Sequence, residues 1–337
     1  MIAPLFYFEE TAVGKVVLTT FVALYEAASS STMINKEIKM SHLMAGVTSI
    51  VWGTTLVSSK VLLHYGLTPA QIMLYRFIIA YLFLWILYPR THRIKSVKDE
   101  LSFLSTGFFG GTLYFLLENT ALEYTQATNV GLICATVPLL TAMLAHLFMK
   151  GVRLSRYILA GSILSLAGVA LVVFNGNFIL KLNPLGDLLT FGAAFSWAVY
   201  SILIRHISGR YNVLFITRKL FLYGLLTLSP YFLFQPFGAP LKTLLIPEVA
   251  ANLLFLGVIA SSLCYVMWSV AIKNLGPITT NNYIYLLPFI TMLTAAVVLD
   301  EKITMFVIIG ALLIIGGVWY AENGHKVVLR SKRVLNS

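Results

Sequence analysis

The sequence predicts an all-α membrane protein, with ten transmembrane helices arranged as two inverted five-helix repeats. Three observations predict it. Charged residues are too few to cover a water-facing surface, apolar runs of spanning length recur along the chain, and an internal repeat joins the first five runs to the last five in order.

The 337 residues are 58% hydrophobic and 11% charged, with a mean hydropathy of +0.85. A soluble domain carries about 25% charged residues. With under half of that, lipid must cover most of the surface. The formal charge is +11. The basic residues sit mostly in short loops between apolar runs, so they report topology and not a nucleic-acid partner. Cys134 and Cys264 both fall inside apolar runs and give neither a disulfide framework nor a metal spacing. No Walker loop, zinc spacing or triad context appears. ATP-driven transport by this chain alone, a catalytic centre, a cofactor and a metal site are therefore not expected.

The apolar segments are 43–63, 69–89, 101–122, 127–149, 155–175, 186–205, 212–234, 249–272, 277–299 and 303–321. Each is long enough to span the hydrocarbon core as a helix. Backbone polar groups must be satisfied within the segment, so an open sheet is excluded. The alternating strands of a barrel are absent. If the N-terminus is cytoplasmic, the inner loops and tails hold Lys36, Lys39, Arg90, Arg93, Lys95, Lys98, Lys150, Arg153, Arg156, Arg205, Arg210, Lys273, Lys326, Arg330, Lys332 and Arg333. The outer loops hold Lys60, Lys181, Lys242 and Lys302. This bias predicts a multi-pass protein of the cell (inner) membrane with both termini cytoplasmic. Within residues 1–42, the stretch 11–25 is apolar but short, and Gly14 and Lys15 interrupt it. Glu9 and Glu10 precede it where a signal peptide would be basic. It reads either as an interfacial helix or as an extension upstream of a start at Met33 or Met40.

Sliding the chain by 150 residues sets Gly107 on Gly257, Leu113 on Leu263, Ala121 on Ala271, Pro138 on Pro288, Thr141 on Thr291 and Ala145 on Ala295. A shift of 145 sets Trp52 on Trp197 and Lys60 on Arg205. A shift of 149 sets Gly161 on Gly310, Gly168 on Gly317 and Val169 on Val318. Helices 1–5 thus match helices 6–10. Five is odd, so the halves enter the membrane in opposite directions, the plan of secondary transporters with a site near the midplane. The chain divides into an N-terminal extension (1–42), a first repeat (43–175), a second repeat (176–321) and a basic cytoplasmic tail (322–337).

These residues carry a family resemblance. Helix 1 reads VWGTTLVSSK, with Trp52 and Lys60 echoed by Trp197 and Arg205. Helices 3–4 read ALEYTQATNVGLICATVPLLTAMLAHLF, with Ala121, Tyr124, Thr125, Ala127 and Pro138. The halves close on RLSRYILAGSILSLAGVALV and KITMFVIIGALLIIGGVWY. Over about residues 43–321 the sequence resembles the EamA family of the drug/metabolite transporter superfamily. Members often carry a Gly-Glu pair after helix 4. Here Lys150 and Gly151 sit at that place, while the second half has Asp300 and Glu301. The resemblance implies a transporter of small organic metabolites and, for direction, an exporter.

Polar residues inside spans are candidate site residues, because lipid makes them costly. Glu118 could carry a proton or meet a cationic substrate group; the other reading is a protonated, paired or hydrated structural residue. Arg76 could attract an anion or bind helix-end carbonyls. Arg218 and Lys219 lie near the cytoplasmic end, where snorkelling is the stronger reading. Trp52 and Trp197 suit a cavity wall or helix packing. Asn119, Tyr265, Trp268, Asn282 and Tyr285 complete an aromatic and amide group that could touch substrate or serve as interhelical glue. Pro138 and Pro288 should each free the carbonyl four residues earlier, at Cys134 and Ile284, and act as hinges or static kinks. His146 reads as packing.

The expected function is a secondary active transporter of amino acids or related compounds, working by alternating access, with protons as a candidate coupling ion. The rivals are a membrane-embedded sensor, which would need a soluble appendage, and a lipid-modifying enzyme, which would need clustered acids or histidines.

Overall fold

A computed structural model describes residues 34–125, 127–149, 155–174, 183–234, 238–299, 305–306, 308–310 and 312–321. The expectations for residues 1–33 and 322–337, and for Lys150, Gly151, Arg153, Lys181 and Asp300 to Lys302, lie outside them. Among the described residues the structure is all-helical apart from one isolated bridge, Ser208 to Tyr211.

Among the described residues ten rods follow one another. They are α1 (Ile34–His64), α2 (Pro69–Leu87), α3 (Val97–Gly107 running on to Tyr114–Tyr124), α4 (Ala127–Cys134 and Val137–Phe148), α5 (Arg156–Phe174), α6 (Pro184–Ile207), α7 (Val213–Leu228), α8 (Pro247–Leu254 running on to Cys264–Leu275), α9 (Pro277–Asn281 running on to Leu287–Leu299) and α10 (Ile308–Ala321). Among the described residues, five helices are long and apolar enough to cross a membrane: Glu37–His64, Pro69–Leu87, Pro184–Ile207, Val213–Phe234 and Pro247–Leu275. Large apolar side chains lie open on outward faces, including Trp85, Ile86, Leu147, Phe148, Ile163 and Leu188. A lipid-facing surface has this character.

Two predicted boundaries shift. The chain is already helical at Ile34, ahead of the predicted 43, because Glu37 and Lys39 mask the apolar signal there. Helix α3 starts at Val97 rather than 101, where the Ser96 side chain accepts from the Asp99 backbone N–H at 3.1 Å and caps the helix.

The halves interlock instead of standing side by side. Helix α1 packs on α8 and α9, and its repeat-equivalent α6 packs on α3 and α4. Helix α2 packs on α7 and α8, and α7 on α3. Between α5 and α10 the matched glycines meet crosswise. A Cβ on Gly161 would stand 2.5 Å from the Gly317 carbonyl oxygen, and one on Gly168 would stand 2.6 Å from that of Gly310. Ser165 donates to the Ile314 carbonyl at 3.3 Å between them. The two helices therefore run antiparallel, backbone against backbone, as small residues permit.

The ends of the bundle differ. At the basic end Arg210 pairs with Asp99 at 2.8 Å, and the Tyr211 hydroxyl donates to the same carboxylate at 2.8 Å. Arg218 donates to the Tyr88 and Arg90 carbonyls, Lys219 pairs with Glu100 at 2.7 Å, and Arg205 donates to the Ile272 and Lys273 carbonyls. Arg218 and Lys219 thus fasten helix ends. The Tyr211 hydroxyl, aided by Arg210, holds the Asp99 carboxyl below its ordinary value of 3.8. A depressed carboxyl stabilises the fold above its unfolded-state pKa, and that contribution disappears as pH falls through the folded-state value. Asp99→Asn is expected to lower the melting temperature at neutral pH and to flatten the acid limb of a stability-versus-pH series. An unchanged acid limb would show that Asp99 plays no such part.

Candidate substrate cavity

A cavity of about 470 Å³, open space at its mouth included, lies among seven helices. Its wall takes Trp52, Thr55 and Leu56 from α1, Arg76 from α2, and Tyr114, Phe115 and Glu118 from α3. Cys134 and Val137 come from α4, Trp197 from α6, Tyr265 from α8, and Ile284 and Leu287 from α9.

The cavity holds one cation and one carboxylate. Arg76 is buried; its Nε donates to Ser261 Oγ at 2.5 Å, and its guanidinium stacks 4.2 Å from the centre of the Phe115 ring. That leaves the outer guanidinium nitrogens available, and a guanidinium fork suits a carboxylate. Glu118 accepts from the Tyr114 hydroxyl at 2.6 Å through Oε1. Among the described residues no ion pair joins Arg76 to Glu118. A guanidinium and a carboxyl group thus face one cavity with no ion pair between them.

Aromatic rings floor the cavity toward the basic end. Trp52 lies 5.1 Å from Trp197, 4.8 Å from Trp268 and 5.6 Å from Tyr265 between ring centres. The polar atoms of Trp52, Trp197 and Tyr265 are tied down, those of Trp52 and Tyr265 across the halves. Trp52 Nε1 donates to the Ala260 carbonyl at 2.9 Å, Trp197 Nε1 to Asn281 Oδ1 at 3.0 Å, and the Tyr265 hydroxyl to the Gly110 carbonyl at 2.8 Å. The rings therefore show the cavity their faces and edges.

The acceptors Ala260 and Gly110 sit in matched irregularities. Helix α3 widens to a π-helix over Phe108–Leu113, and α8 does so over Phe255–Leu263. Such segments gather at functional sites because they loosen the regular backbone ladder. The prolines mark a second matched pair. Helix α4 breaks between Cys134 and Val137, just before Pro138, and α9 tightens to a 3₁₀ stretch over Asn282–Leu286, just before Pro288. One expectation is corrected here. The Ile284 carbonyl is not free, because the tightened turn brings the Leu287 N–H to it.

One domain model, that of the EamA-like transporter family, matches this chain twice, over residues 39–174 and 184–321. The chain belongs to the EamA-like transporter family. It is similar to an uncharacterized transporter of Archaeoglobus fulgidus, 31% identical over 283 residues, covering 83% of this chain and 96% of that one. It is also similar to the uncharacterized transporter YyaM of Bacillus subtilis, 30% identical, covering 81% of this chain and 90% of that one. A solved crystal structure shares the fold at a TM-score of 0.69 and 20% identity, covering 86% of this chain and 99% of that one. The chain is thus a membrane-embedded transporter of the EamA-like family.

In this family member, five of the residues singled out from sequence line the cavity together: Trp52, Arg76, Glu118, Trp197 and Tyr265. Trp268 lies directly behind Trp52, fully buried. Asn119 is fully buried, and neither its amide oxygen nor its amide nitrogen has a protein partner. Asn282 and Tyr285 do not line the cavity. Tyr285 packs with Ala135, Val169 and Ile314, toward α5 and α10. Sequence reasoning missed Thr55, Tyr114, Phe115 and Cys134. Tyr114 was findable: it precedes Glu118 by four residues and so shares its helix face.

Proposed function

We propose that the chain is a secondary active exporter of small zwitterionic metabolites, amino acids or related compounds. The observation that carries this reading is the cavity with Arg76 and Glu118 unpaired across one space. A substrate carboxylate meets the guanidinium, its ammonium meets Glu118, and its body lies against the Trp52 and Trp197 rings. The crosswise glycines of α5 and α10 support two five-helix repeats inserted in opposite directions, and hence ten crossings and alternating access between two similar halves. The bias of basic loops supports a cytoplasmic basic end, with both termini on that side of the cell membrane. Export follows from the family resemblance. Pro138 and Pro288 serve as hinges, because the helix irregularity at each gives a short segment that can re-form. Protonation of Glu118 couples transport to the proton gradient by competing with the substrate ammonium.

The test is flux in proteoliposomes. Amino acids that stabilise the purified protein against heat are followed across the bilayer, with and without a proton gradient. Flux that Glu118→Gln abolishes supports the reading. Gradient-independent flux removes proton coupling, and stabilisation without flux favours a membrane-embedded sensor.

A further inference from the structure

The cavity has an image in the other half. The shift of 145 that sets Trp52 on Trp197 also sets Thr55 on Tyr200. The shift of 150 sets Glu118 on Trp268 and Asn119 on Ser269. Thr55 and Glu118 line the cavity. Tyr200 and Trp268 lie behind its ring floor, with Tyr200 4.8 Å from Trp197 and Trp268 4.8 Å from Trp52. In chain order they stand nearer the basic ends of α6 and α8 than the cavity residues stand to those of α1 and α3.

All three image residues are fully buried. Trp268 Nε1 makes no hydrogen bond within the protein, and the Tyr200 and Ser269 hydroxyls have no partner beyond their approach to each other. Buried polar groups are nearly always partnered. An unpartnered indole N–H and two hydroxyls that approach only each other, all next to the ring floor at the repeat image of a cavity, fit a second state in which they are satisfied. Exchange of conformations between the halves supplies that state: the cavity on the far side closes, and its image opens toward the basic end.

Resting on the transporter reading above, we infer that Tyr200, Trp268 and Ser269 form a second polar subsite, open to the basic end in the alternate conformation, that receives the hydrogen-bond-accepting group of the substrate, a carboxylate or amide carbonyl. Its chemistry fits such a group. The indole N–H can only donate, and both hydroxyls can donate. No formal charge sits among the three, so the carboxylate Glu118 has no counterpart here. The two ends of the path thus differ: one takes the substrate with a charge pair, the other with neutral donors.

The test uses single thiols in full-length protein carrying Cys134→Ser and Cys264→Ser, in sealed vesicles of either orientation. The probe is a membrane-impermeant cationic methanethiosulfonate. Ser269→Cys exchanges one atom, so the packing is kept, and Tyr200→Cys provides a second reporter. Both are expected to react from the basic face and to stay unmodified from the opposite face. Thr55→Cys is expected to do the reverse. If Thr55→Cys reacts as expected and neither of the others reacts from the basic face, the subsite is overturned while the transporter reading stands. If Thr55→Cys reacts from neither face, both fall.

Discussion

Glu118→Gln is expected to cut substrate flux by about tenfold or more while leaving the yield of folded protein unchanged. Glutamine has the shape of glutamate and keeps an oxygen for the Tyr114 hydroxyl, which Glu118 now accepts at 2.6 Å. What it lacks is the charge. A hydrogen bond to a charged group contributes about 1.5–3 kcal/mol, and about 1.4 kcal/mol is a factor of ten in affinity. The measurement is the Michaelis constant and maximal rate of proteoliposome flux at two imposed proton gradients. If Glu118 also carries the coupling proton, the residual flux of the variant no longer responds to the gradient. Unchanged flux with an unchanged gradient response would remove Glu118 from the site.

Gly168→Leu is expected to weaken the fold itself. Its Cβ would sit 2.6 Å from the Gly310 carbonyl oxygen and 2.8 Å from the Ile314 nitrogen. Both are backbone atoms and cannot swing aside as a side-chain tip can, so α5 and α10 must separate. Overpacking of this kind costs about 1–3 kcal/mol or more. Between these helices in lipid, close packing supplies most of the attraction that such a clash removes. The expected result is a clearly lower melting temperature in detergent and loss of the monodisperse species. Gly316→Ala is the control, because a Cβ there meets nothing within 4 Å. A Gly168→Leu protein that melts with the wild type would show that the two helices are not held by this contact.

The sequence carried the architecture because bilayer physics leaves so few options. A run of about 20 apolar residues has to be helical in lipid, so the rods are legible from hydropathy alone. The pairing of Gly161 with Gly310 and of Gly168 with Gly317 was legible as a repeat. Their crosswise meeting was not, because a shift aligns residues and says nothing of which face each presents. The π-helices in α3 and α8 left no trace in hydropathy, since one extra residue per turn changes hydrogen bonding and not composition.

At the site, residue type alone found Arg76 and Glu118, because a charge inside a span is costly enough to be visible in any sequence. The two matched tryptophans were visible through the repeat. Asn282 and Tyr285, three apart, share a face of the 3₁₀ stretch before Pro288, but it is the face of Ile284 and Leu287 that lines the cavity, and spacing alone does not say which face turns inward. The sequence by itself determined that this chain is a two-repeat membrane transporter with one cation and one carboxylate buried in its first half. Only the tertiary structure decided that the two charges face one cavity without touching and that tryptophans from both halves floor it. Both depend on contacts between helices far apart in the chain, such as α1 with α8 and α6 with α3, as Ser196 to Phe109 shows across 87 residues.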